Sequence, residues 1–425
     1  MEVDNKKNDQ NIIPNDADKP QKGVNVPNLR FPCFYSTWCK NKFKNLFVLL
    51  KNNTLSRAEL NYNKGKIKNI HYGDILIKFN NFVLSNANSI PYINDESIPN
   101  KYSELLLKNG DLIIADTAED YSVGKATELI FNDKSLIISG LHTIPCRPVQ
   151  NIFASKYLGY YINSPSYHNQ LLPLIQGIKV SSISKSQIVN TYITYPDIKE
   201  QNKIAKFLTL IEQRIDTLSK IIEDLQTLKI SICDKVFEDT TYPEYKLKDV
   251  LSERIEKSNV NNQYEILSST IKGLFTQKEY FDKDIASSNN IGYKIVHLYD
   301  IIISPQNLWM GNITFNQRFT NGLVSPSYKI YIINNNFDMY YIANMLKTKR
   351  AMYKYICSSQ QGASVVRRNL NMDDFLSLSF NIPDINKQRK IGLLLNTIDK
   401  RIDLEQTYLT KLNQQKKFLL KNMFI

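Results

Sequence analysis

The chain has 425 residues, of which 42% are hydrophobic and 11% aromatic, enough for two or three folded domains. The 54 Lys and Arg against 41 Asp and Glu give a formal net charge of +13, which favours a polyanionic partner. No run approaches the roughly 18 to 20 apolar residues of a membrane span, and the 5 scattered cysteines have neither zinc-site nor disulfide-scaffold spacing. We therefore predict a cytoplasmic protein with no membrane partner.

Residues 1–25 are rich in Asn, Asp and Lys and have no apolar periodicity, so we predict a disordered tail. From 26 to 183, short apolar runs alternate with Gly, Asn and aromatic residues, a pattern typical of an α/β module. Inside it, Asp116, Glu119 and Asp120 have the chemistry to bind a hard cation. One short acidic loop beside Ser122 and Lys125 is more typical of a turn network, which is the interpretation we favour.

A repeat organises the rest of the chain. Residues 196–237 and 383–424 align without a gap at an offset of 187, with 14 of 42 positions identical. Each copy opens on Pro-Asp-Ile and continues with an apolar spacing of three and four residues, which predicts a long coiled-coil helix. About 35 residues at 1.5 Å each would make a rod of roughly 50 Å.

The two helices carry a predicted apolar seam along the face that meets a partner helix. Its residues are Leu208, Ile211, Ile215, Leu218, Ile222 and Leu225 in the first helix and Leu395, Ile398, Ile402, Leu409 and Leu412 in the second. Lys229, Lys416 and Glu405 interrupt the seam with charge, which should cost stability and fix one register.

The repeat divides the chain into alternating modules and helical spacers. We predict a first spacer at 184–241, a second α/β module at 242–370 and a second spacer at 371–425. The two modules share their edges, since residues 42–46 (KFKNL) resemble 246–250 (KLKDV), and residues 176–180 (QGIKV) resemble 361–365 (QGASV). Their interiors differ, as expected of one scaffold that recognises two different targets, although divergence of core residues also explains much of it.

The order of these parts resembles the specificity subunits of type I restriction-modification systems. The local motifs that support the resemblance are residues 26–32 (VPNLRFP) with Trp38, 110–120 (GDLIIADTAED) with 124–126 (GKA), 304–312 (SPQNLWMGN), 322–328 (GLVSPSY) and the Pro-Asp-Ile and Arg-Ile-Asp triplets of the helices. The resemblance covers nearly everything from Val26 to Ile425.

This resemblance implies an α+β fold with two α/β target-recognition domains separated by two long antiparallel coiled-coil helices in a pseudo-two-fold tandem repeat. It also implies double-stranded DNA as a partner, read as a bipartite target with adenine as the methylated base, and two methyltransferase subunits joined by restriction and translocase subunits. Helix length would then set the distance between half-sites. The main alternative is a coiled-coil scaffold or adaptor that binds protein partners without sequence-specific DNA recognition.

The sequence favours a chain without catalysis of its own. It has no Gly-Lys-Ser/Thr phosphate loop and no Asn-Pro-Pro-Tyr methyltransferase element, and its four histidines are not at metal-ligand spacing. Pro196-Asp197 with Glu200 suggests a nuclease core, but Lys387 replaces the acid in the second copy, so a helix-start role fits both better. We therefore expect no cofactor in this chain. The family implies AdoMet in the methyltransferase, and ATP and Mg²⁺ in the restriction subunit; a fused enzyme whose motif escapes inspection is the other alternative.

For DNA contact, Lys and Arg suit phosphates, while Arg, Lys, Asn and Gln suit base edges. Loop context ranks the candidates, although a basic loop can equally be a solvated turn, and Trp309 can equally be buried. The predicted DNA-binding residues are Lys78, Ser122, Lys125, Lys179, Ser181 and Lys185 in the first module and Gln306, Asn307, Trp309, Arg367 and Arg368 in the second.

Overall fold

The computed structural model describes residues 25–94, 102–177, 179–271, 273–280, 289–361, 368–369 and 371–425. Its contacts group into two units, unit 1 (Met1–Thr217 and Thr410–Ile425) and unit 2 (Leu218–Leu409). Mixed helix and sheet in both confirm the predicted α+β class. Because the units divide both long helices, the module and spacer boundaries at 183, 241 and 370 stay predictions.

Unit 1 combines short strands and helices with the start of the first long helix. Its strands are β1 (Cys39–Lys42), β2 (Phe47–Leu49), β3 (Leu60–Asn61), β4 (Ile67–Ile70), β5 (Phe82–Leu84), β6 (Tyr92–Ile93), β7 (Leu112–Ala115), β8 (Thr117–Ala118), β9 (Ala126–Ile130), β10 (Leu136–Ser139), β11 (Thr143–Pro148), β12 (Ser181–Ser182) and β13 (Tyr192–Tyr195). Its helices are α1 (Phe43–Leu46), α2 (Tyr72–Ile77), α3 (Tyr157–Ile162), α4 (Pro165–Leu171), α5 (Lys185–Ile188) and the first part of α6 (Ile198–Phe237).

The strands of unit 1 form a five-stranded sheet (β2-β11-β7-β9-β5), a four-stranded sheet (β10-β4-β6-β3) and the pairs β1-β13 and β12-β8. Pairing is antiparallel except for β4 with β10 and β5 with β9. The main core lies where α3, α4 and α6 pack on the larger sheet. Four tyrosines are fully buried there, because α3 and α4 carry an aromatic at nearly every inward position: Tyr157, Tyr160, Tyr161 and Tyr167.

Unit 2 repeats this mixture with shorter sheets. Its strands are β14 (Glu244–Lys246), β15 (Leu251–Glu253), β16 (Leu267–Thr270), β17 (Gly273–Thr276), β18 (Lys294–His297), β19 (Ile301–Ile303), β20 (Ile313–Phe315), β21 (Asn321–Val324), β22 (Lys329–Ile333), β23 (Gln360–Gln361), β24 (Arg368–Asn369) and β25 (Ser379–Asn381). Its helices are α7 (Leu247–Val250), α8 (Gln277–Tyr280), α9 (Met339–Met345), α10 (Lys349–Ser358), α11 (Met372–Ser377) and most of α12 (Ile385–Asn422).

The sheet β15-β22-β19-β20 forms the centre of unit 2, with the antiparallel pairs β14-β25, β16-β17, β18-β21 and β23-β24 around it. The three isoleucines of β19 are all buried, as expected for a central strand covered on both faces. One core packs this sheet against α9, α10 and α11, and it includes Phe237 of α6 and Leu395 of α12.

The edges of the two modules repeat in structure as well as in sequence. Residues 42–46 and 246–250 each run from a strand into a four-residue helix, α1 and α7. The strand that precedes each long helix pairs antiparallel with the strand that opens the module, β13 with β1 and β25 with β14. The predicted similarity of the module starts, 42–46 and 246–250, is therefore confirmed. The predicted similarity of the module ends stays a prediction, because residues 178 and 362–365 lie outside the described residues.

Both long helices begin where the Pro-Asp-Ile triplets predict. The Asp197 carboxylate accepts backbone N–H bonds from Lys199 and Glu200 at 2.9 and 3.0 Å, and Asp384 does the same for residues 386 and 387. Glu200 is buried and accepts two bonds from the Arg30 guanidinium at 2.8 and 2.6 Å. These contacts assign the triplet to helix initiation and Glu200 to an internal ion pair.

Within each unit the two long helices run antiparallel. In unit 1, Leu208 and Ile211 share a core with Leu419 and Met423. In unit 2, Ile222 packs with Ile398 and Ile402, while Leu409 lies at the edge of that cluster. Of the predicted seam residues, Ile215, Leu225 and Leu409 are half-buried and the others are buried.

The charged seam positions form ion pairs at equivalent places of the repeat. In unit 1, the Lys416 Nζ lies 2.5 Å from Glu212 Oε1, and in unit 2, the Lys229 Nζ lies 2.6 Å from Asp399 Oδ1. The offset of 187 relates Glu212 to Asp399 and Lys229 to Lys416. Glu405 is also buried and pairs with Arg401 one turn away.

Candidate nucleic-acid interface

Unit 2 has a groove between the β16–β17 hairpin and the turn that follows β19. It encloses about 380 Å³, within the range of roughly 300 to 1,000 Å³ usual for binding clefts. Hydroxyl, amide, aromatic and aliphatic groups line it: Ser268, Ser269, Thr270, Ile271, Tyr280, Asn307, Met310, Asn312 and Tyr328.

The turn after β19 is closed by hydrogen bonds at both ends. The Asn307 N–H donates to the Ser304 carbonyl at 3.0 Å, and the Asn312 N–H donates to the Asn307 carbonyl at 3.2 Å. Gly311 has a φ of +90°, a left-handed conformation that a Cβ-bearing residue adopts only under strain. Leu308 is fully buried and anchors the turn. These features hold the half-buried Asn307 side chain at the groove.

The floor of the groove is an internally bonded polar network. The Ser269 hydroxyl lies 3.0 Å from Asn312 Oδ1 and 2.9 Å from the Thr314 hydroxyl, while Asn312 Nδ2 donates to the Ser269 carbonyl at 3.1 Å. The Tyr328 hydroxyl donates to the same carbonyl at 3.2 Å. A network with its partners already in place keeps its shape before any ligand arrives.

Three lysines lie together beside the Tyr328 end of the groove. The Lys294 ammonium donates to the Tyr328 carbonyl at 2.5 Å, and Lys329 pairs with Glu253 at 2.7 Å. Burial lowers the pKa of Lys294, and the neighbouring charges of Lys329 and Lys257 lower it further. One acid against three lysines leaves an excess of positive charge suited to phosphate.

The other predicted residues near this turn differ in exposure. Gln306 is exposed beside Asn307, whereas Trp309 is half-buried, and neither lines the groove. Arg367 lies outside the described residues. Arg368 lies in β24, whose backbone pairs with Gln361. DNA contact by these four stays a prediction.

In unit 1, two of the predicted lysines are engaged internally. Lys78 is exposed and its ammonium lies 3.2 Å from the buried Asp74 carboxylate and 2.5 Å from the Tyr62 hydroxyl. The Lys125 ammonium donates to the Leu76 carbonyl at 2.9 Å, and burial lowers its pKa. Ser122 lies in the same turn, where its carbonyl accepts from the Lys125 N–H at 3.0 Å.

Lys179, Ser181 and Lys185 belong to a second projecting segment of unit 1. Gln176 and Ser182 exchange backbone hydrogen bonds at 3.0 and 2.8 Å, which close the loop in which Lys179 is exposed. Ser181 pairs with Ala118 in β12-β8, which connects this loop to the strand just before the Ser122 turn. The structure therefore brings four of the six predicted residues of the first module, Ser122, Lys125, Lys179 and Ser181, onto two connected segments. Lys78 lies at the C-terminal end of α2, and Lys185 is exposed at the start of α5.

A model of the family described as "Type I restriction modification DNA specificity domain" matches residues 35–227 and 241–414, one match for each repeat. The chain belongs to this family. A Methanocaldococcus jannaschii protein, named as the MjaX specificity subunit of a type I restriction enzyme, is 23% identical over 345 residues, which cover 73% of this chain and 76% of that protein. The S subunit crystal structure from M. genitalium has a TM-score of 0.62 at 14% identity, covering 94% of this chain and 99% of that one. That structural similarity confirms the fold.

In this specificity-domain chain, the described residues contain no group of three or more His, Cys, Asp or Glu side chains placed to hold a metal ion. Asp116 contacts the Thr117 hydroxyl at 2.8 Å and His142 at 3.3 Å, and Asp120 caps the Ser122 N–H at 2.8 Å. These contacts are those of the predicted turn network. Within the described ranges, no helix is both long and apolar enough to cross a bilayer.

Sequence reasoning identified Asn307 but missed most of its surroundings in the specificity module. The groove draws on β16, α8, the β19 turn and Tyr328, and the three lysines come from positions more than thirty residues apart. The local signals were two motifs: residues 304–312 contain Asn307, Met310 and Asn312, and residues 322–328 end at Tyr328 beside Lys329. No spacing along the chain marks residues that only strand pairing brings together.

Proposed function

We propose that this chain is the DNA-specificity subunit of a type I restriction-modification complex and that each unit contacts one half of a bipartite target. The observation that carries this proposal is the duplication itself. Each family match contains a module and most of a long helix, and each copy has the same helix start. The two seam ion pairs join equivalent residues of the two copies. Two matched scaffolds with unlike interiors fit a protein that reads two different sequences.

The chemistry of unit 2 supports DNA as its ligand. Lys257, Lys294 and Lys329 supply positive charge for phosphates, and the adjacent groove presents polar and apolar groups at a scale suited to base edges. In unit 1, the exposed Lys179 and Lys185 would contact phosphates, because neither ammonium group forms a hydrogen bond or ion pair with another described residue, as those of Lys78 and Lys125 do.

The second long helix offers a surface for protein partners. Leu393, Leu404 and Tyr408 of unit 2 are 63%, 61% and 42% exposed. They are eleven and four residues apart, close to whole helical turns, so they share one face of α12. Exposed apolar side chains in such a row fit a protein interface. We assign this face to a methyltransferase subunit, with a second methyltransferase and restriction subunits completing the complex.

We further propose that the chain performs no catalysis and acts in the cytoplasm on cellular DNA. AdoMet would bind the methyltransferase subunits, and ATP with Mg²⁺ would bind the restriction subunit. The lengths of α6 and α12, 40 and 38 residues, would set the distance between half-sites. Inserting one heptad into both helices, after Leu225 and after Ile402, should lengthen the unspecified spacer and leave both half-site sequences unchanged.

Methylome sequencing of a host with and without this gene tests the proposal directly. The expected result is one bipartite methylated motif that disappears with the gene. The purified chain, given AdoMet and DNA, should transfer no methyl group until a methyltransferase subunit is added. Affinity for the motif should fall with salt with a log-log slope of about −0.9 per phosphate contact. A salt-independent interaction, or an unchanged methylome, would favour the scaffold alternative instead.

A further inference from the structure

One side chain of the unit 2 groove is free to recognise a ligand. Of its two asparagines, Asn312 uses both ends of its carboxamide on Ser269, whereas the Asn307 carboxamide has no hydrogen bond within the described part of the chain. The Asn307 backbone is fixed by the closed turn described above. A residue with its backbone held in a closed turn and an unused side-chain donor and acceptor side by side is suited to a partner that offers the complementary pair.

Two large apolar side chains line the same groove and are exposed to solvent. Ile271 is 63% exposed on the β16–β17 turn, and Met310 is 38% exposed three residues after Asn307. None of the nine lining residues that the structure describes is acidic, and the lysines described above flank the groove at Tyr328. The groove thus combines a free carboxamide, an apolar surface and adjacent positive charge.

This combination matches one base pair in the major groove of DNA. Adenine presents the N6 donor beside the N7 acceptor, which a carboxamide can bind with both of its ends, while guanine presents two acceptors there and leaves the carboxamide oxygen unpaired. The thymine opposite carries a methyl group that apolar side chains contact. We propose that Asn307 recognises the adenine of an A·T pair in the half-site bound by unit 2, and that Ile271 and Met310 contact the thymine methyl group of that pair.

This inference rests on the proposed function, so its test begins once methylome sequencing has given the motif. The methyltransferase complex assembled on the full chain is titrated with duplexes in which each A·T pair of the half-site is replaced by G·C. With the wild-type chain, one position should lose roughly tenfold or more in affinity, within the range of a bidentate base contact. The Asn307→Ala variant should bind about equally well to both duplexes at that position, while Asn336→Ala, an exposed asparagine outside the groove, should behave as wild type.

A second measurement isolates the methyl contact. Replacing thymine by uracil at the same pair removes one methyl group, which should weaken wild-type binding about fourfold by the usual free energy of burying one such group. The double variant Ile271→Ala/Met310→Ala should no longer distinguish thymine from uracil. Circular dichroism and thermal unfolding of each variant establish that it remains folded.

The outcomes separate the two proposals. If the wild-type complex shows no preference among duplexes, the proposed function fails. If it prefers the motif but Asn307→Ala keeps the full A·T preference at every position, the proposed function stands and the role of Asn307 is wrong. If Asn307→Ala behaves as expected while uracil is bound as well as thymine, the assignment of Ile271 and Met310 is overturned.

Discussion

The two seam lysines, Lys229 and Lys416, occupy equivalent positions of the repeat, yet replacing each of them should lower the free energy of unfolding by a different amount. In unit 1, Lys416 pairs with Glu212, whose side chain is only 7% exposed. In unit 2, Lys229 contacts both carboxylate oxygens of Asp399 at 2.6 and 2.7 Å, but Asp399 is 30% exposed. Removing each lysine therefore leaves a carboxylate in a very different environment.

The difference can be estimated from what each carboxylate retains. Removing one partner of a buried ion pair typically costs about 3–5 kcal/mol, because the remaining charge is uncompensated. Glu212 still accepts hydrogen bonds from Asn81 at 2.6 Å and from Tyr160 at 2.7 Å when Lys416 is replaced. Lys416→Met should therefore lower the free energy of unfolding by about 3 kcal/mol, near the lower end of that range. Asp399 can be rehydrated, so Lys229→Met should cost about 1 kcal/mol.

Thermal unfolding of the full chain, with hydrogen exchange to assign the change to a unit, measures both effects. At about 2–4 °C per kcal/mol for a unit of roughly 200 residues, Lys416→Met should lower Tm by about 6–12 °C and Lys229→Met by about 2–4 °C. Lys417→Met, at an exposed neighbouring position, serves as the control. The double variant Lys416→Met/Glu212→Gln should regain part of the loss. A Lys229→Met variant as unstable as Lys416→Met would refute the reasoning that burial of the acid sets the cost.

Three further changes test local features of unit 1. Burial raises the pKa of Glu128 to about 7, against 4.5 in an unfolded chain. The protonated Glu128 side chain therefore contributes its full stabilisation below pH 4.5, and this stabilisation is lost as the pH rises towards 7. In urea unfolding, the wild-type free energy of unfolding should decline over this pH range, and Glu128→Gln should abolish the share of the decline that Glu128 causes. Gln201→Ala removes three buried hydrogen bonds to backbone groups and should cost about 2–4 kcal/mol in the same assay, with the exposed Gln213→Ala as control. Gly177 has a φ of +105°, and a Cβ added there would lie 2.0 Å from a backbone oxygen. Gly177→Ala should therefore reshape the Lys179 loop and weaken binding to the DNA motif, while Tm stays within about 3 °C of the wild-type value. Unaltered binding would exclude that loop from the DNA interface.

The sequence predicted best those features that depend on residues close together in the chain. A proline followed by aspartate marks where a helix can start, and the bonds that Asp197 and Asp384 accept are those that such a start requires. Spacing of three and four residues places apolar side chains on one helical face, and Leu218 and Leu395 are buried accordingly. A duplicated segment supplies each prediction twice, which separates a structural rule from chance composition.

What the sequence could not supply depends on contacts made at long range. A lysine in a loop is equally basic whether it faces DNA or an internal acceptor, and only the fold reveals that Lys125 donates to the Leu76 carbonyl, 49 residues away in the chain. The groove in unit 2 depends on strand pairing that places Ser269 near Asn312, 43 residues later. The seam lysines were recognised as charged interruptions, but their acidic partners were not, because antiparallel register decides which residue each lysine meets.

That register follows from the charges once the pairing is known. In unit 2, sliding α12 by one heptad against α6 would bring Gly392 or Gln406 to the position of Asp399 opposite Lys229. Neither side chain can neutralise an ammonium, so the slipped arrangement would bury an unpaired charge. An apolar seam alone repeats every heptad and would tolerate the slip.

The same reasoning holds in unit 1 with different residues. One heptad from Glu212, the first helix offers Ala205 and Ser219 to Lys416, and neither is acidic. Each unit therefore specifies its own helix register by one ion pair, at the cost of placing charge in an apolar seam. For a subunit proposed to measure the distance between two half-sites, a helix pair that cannot slip by a heptad is the property that makes helix length a usable measure.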